Sequence, residues 1–155
     1  MHPNCVAIDA LLSASGCAGR VVLLGEAAPT AAAAAAQLGV DVGAIANSLV
    51  FATDDGEAVL VMTSGAHRVD TVKVAALLGV AELRRADAKF VLAATGQAIG
   101  GVAPIGHPAP LRTLVDVTLA EYPQVWAAGG IPHAVFPTTY EELLRLTGGR
   151  SAEVA

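Results

Sequence analysis

Lysine is almost absent from this chain: only Lys73 and Lys89 occur, and the net charge is −5. A surface of that sign offers no general attraction to a phosphate backbone, which argues against extended DNA binding and confines any nucleic acid to a small local site. Arg68, Arg84 and Arg85 are the nearest thing to a basic cluster, and a solvated face is the default reading of them. Cysteine is also scarce. With only Cys5 and Cys17, and no sign of secretion, the two are expected to be reduced and without a role.

Long apolar runs are missing as well. Even the alanines from Ala31 to Ala36 are bounded by Thr30 and Gln37, so no membrane span is expected. The opening residues lack a basic leader and Asp9 interrupts their apolar part, so a secretory signal is not expected and a cytoplasmic location is. His2, His67, His107 and His133 show no H-x-x-x-H or C-x-x-C spacing, and neither a metal nor a cofactor is expected. G-x-G-x-x-G, G-K-[ST] and G-x-S-x-G do not occur, which argues against a dinucleotide fold, a phosphate loop and a serine-hydrolase elbow.

What is present is a core. At 155 residues, with 54% apolar and 15% charged side chains, the chain can make one domain without metal or disulfide support. A first helix is predicted over Val6 to Ser15, closed by Gly16, and "RVVLLG" reads as a short strand. Pro29 and Thr30 start a second helix that Gly39 ends. "AIANSLVFAT" and "EAVLVMTSG" read as two strands joined at "DDG", where Asp55-Gly56 supplies the positive φ angles of a tight hairpin. Asp70 caps a helix that Gly79 ends, with Asp70 and Lys73 forming a surface pair, and another helix is predicted from Ala86 to Ala94. "LRTLVDV", "QVWAAGG" and "AVF" follow as strands, and Thr139 with Glu142 makes a capping box for the last helix. The expected fold is a single α/β domain with a mixed sheet flanked by helices.

Between Thr95 and Pro110 the chain reads "TGQAIGGVAPIGHPAP", too rich in Gly and Pro for regular structure yet without the polar run of a flexible linker. Gly100 and Gly101 allow close approach of backbone to a ligand, Pro104 stiffens the path, and Gly106 permits a second sharp turn. Amides aimed at an ester oxygen from such a loop would stabilise a tetrahedral transition state by about 3–4 kcal/mol per donor. A packed connector explains the same residues. A second anomaly is the polar pair Asn47-Ser48 inside the apolar stretch "IANSLVF". Alternation along a strand lets only one of them face a given pocket unless a bulge intervenes, and Asn47 is the favoured one.

Taken in order, "IANSLVF" with its hairpin, "HRVDTVKVAALLG", "TGQAIGGVAPIG", and "VWAAGG" ahead of "LLRLTGG" resemble the YbaK/ProX family of aminoacyl-tRNA deacylases, relatives of the editing insertion domain of bacterial prolyl-tRNA synthetase. The resemblance covers nearly the whole chain. It implies a mixed, barrel-like sheet surrounded by helices, and hydrolysis of the ester between a wrong amino acid and a tRNA 3′ end, with a synthetase as a possible second partner. It further implies that the G-x-x-x-P loop, here Gly100, Gly101, Val102, Ala103 and Pro104, with Gly106 just beyond, holds the aminoacyl carbonyl and the terminal ribose. It places Asp116 near the site, where helix capping is the alternative role, and His133 at the amino-acid pocket, where a surface position is the alternative.

One departure stands out: relatives commonly carry lysine where this chain has Asn47. Exchanging a charge-assisted hydrogen bond for a neutral one costs on the order of 1–2 kcal/mol, enough to alter substrate or affinity and too little to abolish catalysis. Two other readings stay open, a binding module that holds an aminoacyl-tRNA end or nucleotide without turnover, and a hydrolase of a smaller ester. Nothing in the sequence sets an oligomeric state.

Overall fold

The computed structural model describes all 155 residues, Met1 to Ala155. Its five helices are α1 (Pro3–Ala14), α2 (Ala31–Leu38), α3 (Thr71–Leu78), α4 (Ala88–Thr95) and α5 (Tyr140–Thr147). The strands are β1 (Val22–Leu23), β2 (Ile45–Thr53), β3 (Ala58–Ser64), β4 (Leu83–Arg85), β5 (Arg112–Asp116), β6 (Val125–Ala128), β7 (Ala134–Thr138) and β8 (Arg150–Ala152). They form one mixed sheet in the order β1-β7-β6-β2-β3-β5-β8, with β4 attached to β2 off that path.

Local chemistry explains most boundaries. Pro3 at the first turn and the His2 imidazole, which accepts the Asn4 N–H, start α1 earlier than expected. Thr30, Asp70 and Asp87 each accept a backbone N–H at the start of α2, α3 and α4, and glycines in the left-handed conformation close these three helices. The Asp87 cap is why α4 begins at Ala88 rather than Ala86. Lys73 does not pair with its cap: its ammonium lies 3.7 Å from Glu153 and donates to the Ala155 carbonyl. At α5 the Glu142 N–H donates to Thr139, but the Glu142 carboxylate accepts from Thr138, so the capping box is only half made.

The hairpin between β2 and β3 is present, with one difference. Asp54, Asp55 and Gly56 link Thr53 to Glu57, the Thr53 N–H donating to the Glu57 carbonyl, and Gly56 alone has a positive φ, 85°. A three-residue link needs one left-handed position, where a two-residue turn would need two. Strand β1 shrinks to Val22–Leu23, and β4 and β8 were not expected, being three-residue strands rich in arginine and small residues.

The sheet separates two apolar layers. Ala46 and Val50 of β2 and Leu60 and Met62 of β3 face a core with Ile8, Leu12, Val91 and Phe136. Phe51, Val59 and Val61 face a second core against α3 and Leu83. Cys5 and Cys17 are buried and unpaired in the first core, and burial pushes both thiols above the ordinary range.

Residues 96–111 carry no regular element, yet the loop is tied down. The Gln97 side chain, 4% exposed, accepts the Ala103 N–H at 2.7 Å and donates to the Ile105 carbonyl at 3.1 Å. Thr95 supports Gln97 in turn, its hydroxyl accepting the Gln97 N–H and donating to the Val91 carbonyl. His107 Nε2–H donates to the Ala103 carbonyl at 2.8 Å. Gly101 lies against backbone: an added Cβ would be 2.6 Å from Ile131 Cα and Pro132 N.

Two expectations follow for the loop. Gln97→Leu strands the Ala103 N–H and the Ile105 carbonyl, and urea unfolding should show a loss of about 1–3 kcal/mol. For His107, burial holds the imidazole below its ordinary value, with its bond to Ala103 opposing. The unfolded chain therefore binds the proton first as pH falls below about 6.5, so this contribution is complete above that range and is lost as pH drops through the folded-state value. Urea midpoints at pH 8 and pH 5 should differ less in His107→Gln than in the wild type.

Candidate functional site

Strand β2 is the most heavily shared element. All but its two end residues pair with β3, from Ala46↔Ser64 to Ala52↔Ala58 without a bulge. Its other side is divided: Ile45 and Ala46 pair in parallel with β6, and Phe51 to Thr53 pair antiparallel with β4. Between them the edge is uncovered. The Ile45 carbonyl accepts from Gly65 and the Thr53 N–H donates to Glu57, so the odd-numbered residues bond toward β3; the Val50 carbonyl, accepting from Ala86, points the other way. In that alternation the backbone N–H and C=O of Ser48 face the gap.

A cavity of about 460 Å³ occupies this position, and both Asn47 and Ser48 line it. No bulge is needed. The two side chains lie on opposite faces of the sheet, but at an open edge a cavity can reach around to both. Ser48 Oγ–H donates to the Met62 thioether at 3.2 Å, on the face of the first core. Asn47 is opposite Thr63 on the other face.

The glycine loop reaches the cavity through Gly100 and Val102. Gly100 has a φ of 94° and is exposed, with open space where a Cβ would stand; Val102 is 4% exposed. Their amides differ from those of their neighbours. The Gly101 N–H donates to the Ala98 carbonyl and the Ala103 N–H to Gln97, whereas the N–H groups of Gly100 and Val102 have no partner in the chain. Val102 is buried, and a buried amide without a partner in the chain is rare; Gly100 is exposed, and its amide is open to solvent or ligand.

The remaining expected residues are placed as follows. Gly101, Ala103, Pro104 and Gly106 do not line this cavity and instead shape the loop behind it; Pro104 and Gly106 border a smaller hollow of about 270 Å³. His133 does not line it either, although Pro132 and Ala134 do, and its carbonyl accepts from Leu24. Asp116 is 1% exposed beneath the site. It does cap, its Oδ1 accepting the Thr118 N–H at 3.0 Å at the start of a 3-10 turn, Val117–Glu121. Its Oδ2 accepts the Ser64 N–H at 3.0 Å and meets His67 Nδ1 at 2.9 Å.

Sequence reasoning passed over three lining residues. His67, Arg68 and Arg85 all border the cavity; Arg68 and Arg85 are exposed, as a solvated face requires, and stand at its rim. Only the topology reveals this, because Arg85 arrives on the unforeseen strand β4, opposite Phe51. No group of three or more His, Cys, Asp or Glu side chains is gathered as a metal site would require, and no helix is long and apolar enough to cross a membrane.

Several known proteins resemble this chain in sequence and fold. A solved structure described as a candidate trans-editing enzyme for prolyl tRNA synthetase superposes with a TM-score of 0.92 at 42% identity, covering 99% of this chain and 98% of that one. The hypothetical protein APE2540 superposes with a TM-score of 0.88 at 29% identity over 96% and 98% of the two chains. The uncharacterized protein YwhH of Bacillus subtilis is 31% identical over 110 residues, 71% of this chain and 69% of that protein. A proline–tRNA ligase of Desulfotalea psychrophila is 39% identical over 72 residues, 46% of this chain but 12% of the ligase. The profile of the aminoacyl-tRNA editing domain matches residues 25–146, and the chain belongs to that family.

Proposed function

We propose that the protein is a trans-editing deacylase that hydrolyses the ester joining a wrong amino acid to the 3′ end of a tRNA of the proline type, the amino acid being small or cysteine. The observation that carries this reading is the pair of unpartnered amides, Gly100 and Val102, on the wall of the cavity. Both can converge on the ester carbonyl oxygen and strengthen their bonds as it becomes an oxyanion, at about 3–4 kcal/mol per donor. Gly101 then serves by its lack of a side chain, which lets the loop seat on Ile131 and Pro132.

Asn47 and the free backbone groups of Ser48 orient the aminoacyl-ribose across the gap in β2. Arg68 and Arg85 at the rim supply cationic charge toward the terminal phosphates that Asn47 does not. Amino-acid selection is steric, since Ala31, Ala34, Ala134 and Val135 shape the apolar lining; each methylene accepted or refused is worth about 1–3 kcal/mol. The kinship with a proline–tRNA ligase and with a candidate trans-editing enzyme supports the choice of tRNA and a synthetase as a possible second partner. The chemistry as drawn uses no metal and no cofactor.

Deacylation measured over a panel of mischarged tRNAs is the test, with turnover of a small or thiol amino acid on tRNA of the proline type expected. Tight binding without turnover would favour the non-catalytic module for which Asn47 speaks, and turnover of free amino-acid esters alone would favour a smaller substrate. Gly100→Ala has room for its methyl but strains φ and tilts the amide, so kcat should fall by up to roughly 10²-fold with little loss of folding. Asn47→Lys should tighten tRNA binding by roughly tenfold and steepen its salt dependence by about one counterion.

A further inference from the structure

One side chain lining the cavity is suited to act as a base. The cavity's polar lining consists of the Asn47 amide, the hydroxyls of Thr30, Ser48 and Thr71, the guanidinium groups of Arg68 and Arg85, and the His67 imidazole. Amides, hydroxyls and guanidinium groups are poor bases; imidazole is a good one. His67 is also oriented. Its Nδ1–H donates to Asp116 Oδ2 at 2.9 Å, and Asp116 is fixed by the N–H groups of Ser64 and Thr118 and by the Thr63 hydroxyl at 3.4 Å. With Nδ1 carrying the proton, Nε2 presents a lone pair and has no partner in the chain. The His67 side chain is 31% exposed and Asp116 is 1% exposed, so water reaches the imidazole and not the carboxylate that holds it.

We infer that His67 is the general base of the hydrolysis and Asp116 its positioning residue, an inference that rests on the deacylase reading. Nε2 removes a proton from water, directly or through one further water, as the water oxygen bonds to the ester carbon and the carbonyl electron pair moves onto the oxygen facing Gly100 and Val102. Collapse of that intermediate breaks the bond to the ribose oxygen, and Nε2–H returns the proton to it. Free amino acid and a tRNA hydroxyl result. Of the charged and titratable groups, Asp116 bonds to His67, and Arg68 and Arg85 line the same cavity.

The test uses the full chain and a mischarged tRNA that the wild type deacylates, with His67→Gln, His67→Ala and Asp116→Asn compared by kcat, KM and pH profile. Binding is followed separately with an aminoacyl-adenosine analogue in which an amide replaces the ester. Expected are a fall in kcat of at least 10²-fold for both His67 variants, analogue binding within threefold of wild type, and loss of the acidic limb of the rate profile. Added imidazole should restore part of the rate of His67→Ala. Asp116→Asn should lower kcat while keeping an acidic limb. A His67→Gln enzyme within threefold of wild type that retains the limb overturns the inference and leaves the deacylase reading standing, with the base supplied by the substrate. A fall matched by loss of analogue binding, without imidazole rescue, also overturns it, making His67 a binding residue. A folded wild type that deacylates no tRNA in the panel overturns both.

Discussion

Everything in this molecule hangs on the divided edge of β2. A nine-residue strand pairs with β3 from Ala46 to Ala52, but β6 covers only its start and β4 only its end. Full coverage would bury Asn47 and Ser48 and close the cavity; no coverage would leave the strand adrift from half the sheet. Partial coverage keeps the backbone rigid while exposing about one residue's worth of hydrogen-bonding capacity. Because the opening lies at an edge, groups from both layers meet there, Asp116 and His67 from one side and the glycine loop from the other.

The glycine loop complements that edge through restraint rather than mobility. The amides of Gly101 and Ala103 are spent on Ala98 and Gln97, while those of Gly100 and Val102, which line the cavity, have no partner in the chain. Fixing donors before the substrate arrives removes the need to reorganise them during reaction, which is where electrostatic catalysis gains most. Gln97 is therefore as much a part of the site as the glycines, although it does not line the cavity.

Much of the fold was legible because its signals are local. The caps Thr30 and Asp70 and the closing glycines Gly39 and Gly79 act within a few residues of themselves, and the hairpin is announced by its own turn. The strands β4 and β8 were illegible because three residues such as Leu83, Arg84 and Arg85 carry little strand preference; they become strands by adding to an edge already present. The site divides in the same way. The glycine loop and the Asn47-Ser48 pair stand out in the sequence, whereas the contact of His67 with Asp116 joins residues 49 positions apart and exists only in the fold. Which amides the loop keeps free is likewise decided by Gln97, and composition cannot reveal that.

The narrowness of the opening in β2 has a consequence for aggregation. An exposed strand edge ordinarily invites another chain to add to the sheet. Here an incoming strand would meet β6 before Asn47 and β4 after Val50, a clear span of only about 13 Å at roughly 3.3 Å per residue. Such a slot, about four residues long, is too short to template the extended pairing of two proteins. Within it only Ser48 turns both its backbone N–H and its C=O to the gap, so the opening presents one donor and one acceptor rather than a ladder.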